Sequence, residues 1–263
     1  MDLKDRPIGF FDSGVGGLSV LKQAVKILPH EDFVYYGDSL NAPYGIRTSD
    51  KVKELTFNAV KILINKNIKA LVVACNTATS VSIEDLRKQY AKSMPIIGIE
   101  PALKPAVKNK KNGKIIIMAT PVTLSESKFN NLMKKYNYND NIVPMPCPGL
   151  VELIESGIVE GPEVEGYLKE RYSCLIETEI ASIVLGCTHY PFVKKALIKV
   201  VGEMGKDPFI IDGSSGTVNQ LKRQLLKYDM IKKPGDEKGT VRIFNSLDTK
   251  KIIDLSYKLL SIK

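Results

Sequence analysis

Ala70-Leu71-Val72-Val73-Ala74-Cys75-Asn76-Thr77 and Ala181-Ser182-Ile183-Val184-Leu185-Gly186-Cys187-Thr188-His189 decide the fold. Each is a short apolar run of the length of a buried strand, followed by a thiol and then by small polar residues that suit a helix start. Uninterrupted β-branched runs of this kind belong to parallel sheets covered by helices on both faces. The two stretches lie about 110 residues apart and read as equivalent points in two halves of a 263-residue chain.

The flanking sequence repeats in the same order. Pro7-Ile8-Gly9-Phe10-Phe11 has a counterpart in Lys114-Ile115-Ile116-Ile117-Met118, and Asp32-Phe33-Val34-Tyr35-Tyr36 has one in Asn141-Ile142-Val143-Pro144-Met145. After the cysteine strands, Pro95-Ile96-Ile97-Gly98 matches Pro208-Phe209-Ile210-Ile211-Asp212. Strands are predicted at Ile8–Phe11, Phe33–Tyr36, Leu71–Ala74, Ile96–Ile99, Ile115–Met118, Ile142–Met145, Ile183–Leu185 and Phe209–Ile211. Helical spacing marks segments between them, including Leu18–Leu28, Val52–Ile64 and Phe129–Tyr136. Alternation of this type gives an α/β protein with mainly parallel sheets. We expect an internal duplication with two pseudo-symmetric α/β domains and a site in the cleft between them. The first domain is expected to take residues 1–98 plus a C-terminal return over 207–263, and the second residues 99–206.

Composition narrows the class. The chain is 44% hydrophobic and 25% charged, as in ordinary globular proteins. No apolar run approaches the roughly 20 residues that span a bilayer, and no signal-like apolar segment precedes Ile8. A cytoplasmic location without membrane contact is therefore expected. The net charge is +9, but the lysines are scattered, and the densest group, Lys108, Lys110, Lys111 and Lys114, brackets a turn at Asn112-Gly113. No nucleic-acid-binding motif is present, so no nucleic-acid partner is expected. Four cysteines without C-x-x-C spacing, and only His30 and His189 as histidines, argue against a disulfide framework and a metal site.

The chemistry-bearing residues fall at the strand ends. The first strand runs into Asp12-Ser13-Gly14-Val15-Gly16-Gly17-Leu18-Ser19, a glycine turn opening a helix, which is an anion-binding arrangement. Asp12 and Asp38 lie at carboxyl ends of strands, where open α/β sheets bind ligands. Asn41-Ala42-Pro43-Tyr44-Gly45 forms a rigid turn after the second strand. Cys75 and Cys187 precede helix starts, whose field is expected to lower a thiol pKa. His189 is placed to tune or relay a proton at its neighbouring thiol. Cys147 and Cys174 lack the strand-to-helix context and read as structural, and His30 reads as a surface residue. Two thiols on facing halves can approach one carbon from opposite sides, the geometry needed to invert a stereocentre by removing and returning a proton.

Taken together, Asp12-Ser13-Gly14-Val15-Gly16-Gly17, Tyr36-Gly37-Asp38, Ala42-Pro43-Tyr44-Gly45, Cys75-Asn76-Thr77-Ala78-Thr79 and Gly186-Cys187-Thr188-His189-Tyr190-Pro191 closely resemble the glutamate racemases. The resemblance runs from Ile8 to the C-terminal helix. It implies two α/β domains with the site between them. It also implies interconversion of L- and D-glutamate without pyridoxal phosphate or any other cofactor, supplying D-glutamate for peptidoglycan. By position, it makes Cys75 and Cys187 the proton-transfer residues, with Asp12 and His189 assisting them. Ser13, Tyr44, Gly45, Asn76, Thr77 and Thr188, with Asp12 and His189, would hold the substrate. Asp38 falls on a polar position of the family's site, and a further carboxylate is matched by Glu155 better than by Glu152. Members of the family often form homodimers, which makes a homodimer the assembly to look for.

Read from residue chemistry alone, an aspartate racemase on the same fold is a rival. One methylene is worth only roughly 1–3 kcal/mol of discrimination in a pocket. A two-domain binding protein and a pyridoxal enzyme are the rivals from other classes. The paired thiols argue against the first, and the family resemblance against the second.

Overall fold

The computed structural model describes residues 2–109, 111–127, 131, 141–232 and 237–262. Nine strands among them form two sheets with every pairing parallel. The first sheet contains β1 (Ile8–Asp12), β2 (Phe33–Gly37), β3 (Ala70–Val73), β4 (Ile96–Gly98) and β9 (Val241–Asn245), in the order β4-β3-β1-β2-β9. The second contains β5 (Lys114–Ala119), β6 (Ile142–Pro146), β7 (Ile180–Leu185) and β8 (Phe209–Asp212), in the order β6-β5-β7-β8. β1 and β3 are buried along their whole length, as strands covered on both faces must be.

The duplication read from the sequence is visible in the connectivity. From one edge the first sheet runs β4-β3-β1-β2, and the second runs β8-β7-β5-β6. In each half, the chain leaves the first strand to one side and returns on the other. That makes a switch point between β1 and β3, and another between β5 and β7. Ligand crevices open at such points, outside the carboxyl ends of the strands. Asp12 ends β1 and Cys75 follows β3, while Thr120 follows β5 and Cys187 follows β7.

The eight predicted strands all form, with ends shifted by a few residues. The helices α1 (Leu18–Ile27) and α2 (Ser49–Ile64) cover the predicted helical segments. The predicted helix Phe129–Tyr136 lies outside the described residues except for Asn131, and Lys110 also lies outside them. The expected boundary at residues 206/207 needs correction. Phe209–Asp212 pairs with β7 as β8 and completes the second sheet, because it is the counterpart of β4. The C-terminal return begins after it. Helix Ser214–Lys227 and the C-terminal helix Lys250–Ser261 pack against α1, and β9 adds to the free edge of β2. One continuous apolar cluster includes Phe10 and Tyr35 from the first sheet, Met118 and Leu185 from the second, and Leu221 from the return.

A buried ion pair closes the amino-terminal end of the first sheet. Lys69 and Glu31 are 0% and 2% exposed, and their side chains pair directly. Lys69 Nζ also donates to the Lys4 carbonyl at 2.6 Å, and Glu31 Oε1 accepts from the Lys232 amide at 2.7 Å. The pair thereby ties both terminal segments to the sheet. Removing one partner strands the other charge in the core, at a cost of about 3–5 kcal/mol. Lys69→Met should lower the denaturation midpoint accordingly, and the double variant Lys69→Met/Glu31→Leu should recover much of the loss. Chemical denaturation of both variants checks this.

Candidate active site

The carboxyl ends of the two sheets face each other, and polar side chains from both halves interlock there. Cys75 caps α3 (Asn76–Tyr90), its sulfur accepting from the Ala78 amide at 3.4 Å. Ser13 Oγ lies 3.3 Å from the same sulfur. Asp12, fully buried, accepts from the Gly14 amide at 2.9 Å and from Thr188 Oγ1 of the second half at 3.0 Å. Ser19 Oγ donates to the Thr188 carbonyl at 2.8 Å. Thr77 Oγ1 shares hydrogen bonds with Thr120 Oγ1 at 3.0 Å and Thr123 Oγ1 at 3.1 Å, again across the halves.

The second thiol has a different setting. Cys187 Sγ lies 3.7 Å from His189 Nδ1, and His189 Nε2 lies 2.6 Å from Glu155 Oε1. That oxygen also accepts from the Val15 amide at 2.7 Å, and Glu155 Oε2 accepts from Ser39 Oγ at 3.0 Å. The glycine loop after β1 therefore does bind an anion, and the anion is the protein's own Glu155. Gly14 is required for the approach, since a Cβ there would collide with the Glu155 carboxylate. Likewise a Cβ on Gly16 would collide with the His189 ring.

The remaining sequence-derived residues take supporting places. Asp38 is buried and accepts from Tyr44 Oη at 2.7 Å and from Asn41 Nδ2 at 3.1 Å, so it fixes the turn carrying Tyr44. Gly45 packs so closely on Thr120 that no side chain fits. Asn76 is buried, and its Oδ1 has no hydrogen-bond partner among the described residues. An unpaired buried acceptor is costly, which makes this atom a candidate contact for a ligand donor. Glu155 reaches the site, whereas Glu152, on the same short helix Leu150–Glu155, is exposed. Cys147 is buried, with its thiol donating to the Met145 carbonyl, and Cys174 is exposed rather than part of a core. The His30 ring meets the Glu237 carbonyl at 3.1 Å near the surface, away from both thiols. Ser39, Thr120, Thr123 and Asn245 contact the candidate site, and sequence reasoning missed them. Ser39 adjoins Asp38 in the strand-end turn, which is the signal that could have found it.

Burial sets the charge states. It pushes the Cys75 thiol up to about 12, with the Asp12 carboxylate adding to the rise. This overturns the expectation that a helix start would lower it: loss of solvent outweighs the Ser13 and Ala78 hydrogen bonds. Burial also raises Asp12. Burial alone would drive His189 neutral, but its hydrogen bonds to Cys187 and Glu155 carry it well above 6.5. Burial likewise opposes ionisation of Glu155, yet bonds from His189, Val15 and Ser39 leave it below 4.5. These hydrogen bonds favour the charged forms of both partners, carboxylate and imidazolium, and His189 Nδ1 faces the Cys187 sulfur. Among the described residues no group of three or more His, Cys, Asp or Glu side chains could hold a metal ion, and no helix is long and apolar enough to cross a membrane. A separate cavity of about 1140 Å³ lies where the chain crosses between the halves, lined by Gly98, Glu100, Asp212 and Arg223 and by neither thiol.

The profile of the Asp/Glu/hydantoin racemase family matches residues 13–221. A glutamate racemase from Clostridium kluyveri is 65% identical over 260 residues, covering 99% of each chain. A solved glutamate racemase from Francisella tularensis, in complex with D-glutamate, superposes with a TM-score of 0.82 at 29% identity, covering 99% of this chain and 95% of that one. A solved glutamate racemase isoform from Bacillus anthracis gives a TM-score of 0.85 at 29% identity, covering 99% and 96%.

The Glu155–His189 pair carries a pH signature. Glu155, with its pKa lowered from 4.5, contributes stability above that value and loses it as pH falls through the lowered one. His189, raised from 6.5, contributes fully below 6.5 and loses its contribution as pH rises through the raised value. Glu155→Gln should be destabilised relative to the parent most strongly between pH 4.5 and 6.5. In that variant the His189 imidazole should also titrate at lower pH. With only two histidines in the chain, NMR of the ring nitrogens against pH resolves the shift.

Proposed function

The chain belongs to the Asp/Glu/hydantoin racemase family, and we propose that it is a glutamate racemase that interconverts L- and D-glutamate through two thiols, without a cofactor. One observation carries this reading. Cys75 and Cys187 follow the equivalent strands β3 and β7, and both are buried in the same polar layer between the sheets. The Clostridium kluyveri relative, a glutamate racemase by name, supports the choice of substrate.

In the proposed reaction one sulfur, as thiolate, removes the Cα proton and becomes a thiol. The opposite thiol delivers its own proton to the other face and becomes a thiolate. One C–H bond breaks and one forms, and exchange with solvent resets the pair. A buried thiolate needs donors. Ser13 Oγ and the Ala78 amide are positioned to supply them at Cys75, and the His189 imidazolium at Cys187. Asn76, Thr77 and Thr188 are the proposed ligands of the substrate carboxylates. Hydrogen bonds held ready at the α-carboxylate offset the charge that develops as the Cα proton leaves, and exclusion of water strengthens them. Asp12 links the two sides through its bond from Thr188. Use of the D-glutamate in peptidoglycan, and a homodimer in the cytoplasm, belong to the same proposal and rest on the family resemblance.

Solvent deuterium tests the two-thiol reading. Starting from L-glutamate in D2O, the first D-glutamate should carry deuterium at Cα while the remaining L-glutamate stays largely undeuterated. Cys75→Ala and Cys187→Ala should each abolish racemisation followed by circular dichroism, with both aspartates as controls for specificity. Early product that retains the substrate hydrogen, or either variant racemising near the parent rate, would overturn it.

A further inference from the structure

Strand β9 comes from the far end of the chain, yet its last residue reaches the candidate site. Asn245 pairs in register with Gly37 at the end of β2 and is buried. Its Oδ1 accepts from the Leu247 amide at 3.0 Å. That bond fixes the orientation of the side-chain amide, so Nδ2, a donor only, faces Ser39 Oγ at 2.9 Å. With a lone pair of Ser39 filled from Asn245, the single hydroxyl proton is left for Glu155 Oε2, 3.0 Å away. A Cβ on Gly37 would lie only 3.0 Å from Asn245 Nδ2, so the glycine keeps this path open.

We propose that Ser39 and Asn245 are positioning residues of the active site: they aim one hydrogen bond at Glu155 and so hold His189 against Cys187. This deepens the racemase reading and rests on it for its kinetic consequences. It makes the C-terminal return part of the machinery on the Cys187 side. The path runs from Asn245 to Ser39, Glu155, His189 and Cys187, and each link is a hydrogen bond or a sulfur contact. Asn245 and Ser39 stand behind Glu155 and reach the sulfur only through it.

Charge follows orientation. A hydroxyl that can only donate to Glu155 favours its carboxylate form, and the carboxylate favours the imidazolium. The other ionisable groups facing this pair are Asp12 from β1, Tyr35 from β2 and Cys187 itself. All three are retained in the variants below.

The test compares Ser39→Ala, Ser39→Thr and Asn245→Asp by kinetics and by NMR titration of His189. Ser39→Ala should lower kcat/KM about 10-fold or more, the loss typical of a hydrogen bond to a charged group. The loss should fall on kcat, with KM within about twofold, because the bond does not touch substrate. The acidic limb of the pH–rate profile should move to higher pH, and the His189 imidazole should titrate at lower pH. Ser39→Thr keeps the hydroxyl and should restore both. Asn245→Asp replaces the donor by an acceptor and draws the Ser39 proton away from Glu155, so it should reproduce Ser39→Ala. An unmoved His189 titration in Ser39→Ala, an unshifted acidic limb, a failure of Ser39→Thr to restore either, or a parent-like Asn245→Asp would overturn the proposal. A parent protein that does not racemise glutamate would instead overturn the functional reading, and the His189 titration would still decide the positioning role.

Discussion

The carboxylate of Glu155 is the interaction on which the site depends. It accepts hydrogen bonds from the loop after β1, from the turn after β2 and from His189 beyond β7. A carboxylate withdrawn from water is unfavourable unless its lone pairs are filled. Here they are filled by groups from both halves, so the energy that makes the carboxylate tolerable also draws the halves together. The Thr188–Asp12 bond and the Thr77–Thr120–Thr123 cluster repeat that logic on either side of it. In the proposed reaction, cohesion and chemistry therefore share the same atoms. A substitution in this layer perturbs the fit of the two sheets and the protonation of the site at once.

Much of this was legible in the sequence, because strands buried on both faces write themselves as apolar runs. All eight strands of the duplicated series are apolar runs, although β6 and β8 at the edges of the second sheet are only partly buried, and the two thiols stand out by following equivalent runs. β9 was missed for the opposite reason. Val241–Asn245 sits at the sheet edge with Arg242 exposed, and among the described residues it has no counterpart in the second half. The boundary near residue 206 is hard to read because β8 runs on toward the C-terminal return, while its sequence match to β4 places it in the second sheet. The site was legible at its motif residues and opaque at their supports. Ser39, Thr120, Thr123 and Asn245 are ordinary polar residues whose importance arises only when distant strand ends meet. The Cys75 thiol shows a second limit: a helix start is visible in a sequence, but the depth of burial that overrides it is not.

The two thiols have unlike neighbours, a hydroxyl and a backbone amide at Cys75 and the His189 ring at Cys187. Mirror-image amino acids have identical free energies in water, so the equilibrium constant between them is one. For an enzyme acting on both, kcat/KM must then be the same in the two directions, whatever the surroundings of each base. The asymmetry cannot favour one product at equilibrium. It can only divide the same catalytic efficiency differently, giving one enantiomer a higher turnover and a correspondingly weaker apparent affinity. Net flow toward either hand is therefore imposed from outside the protein, by whatever removes one enantiomer from solution.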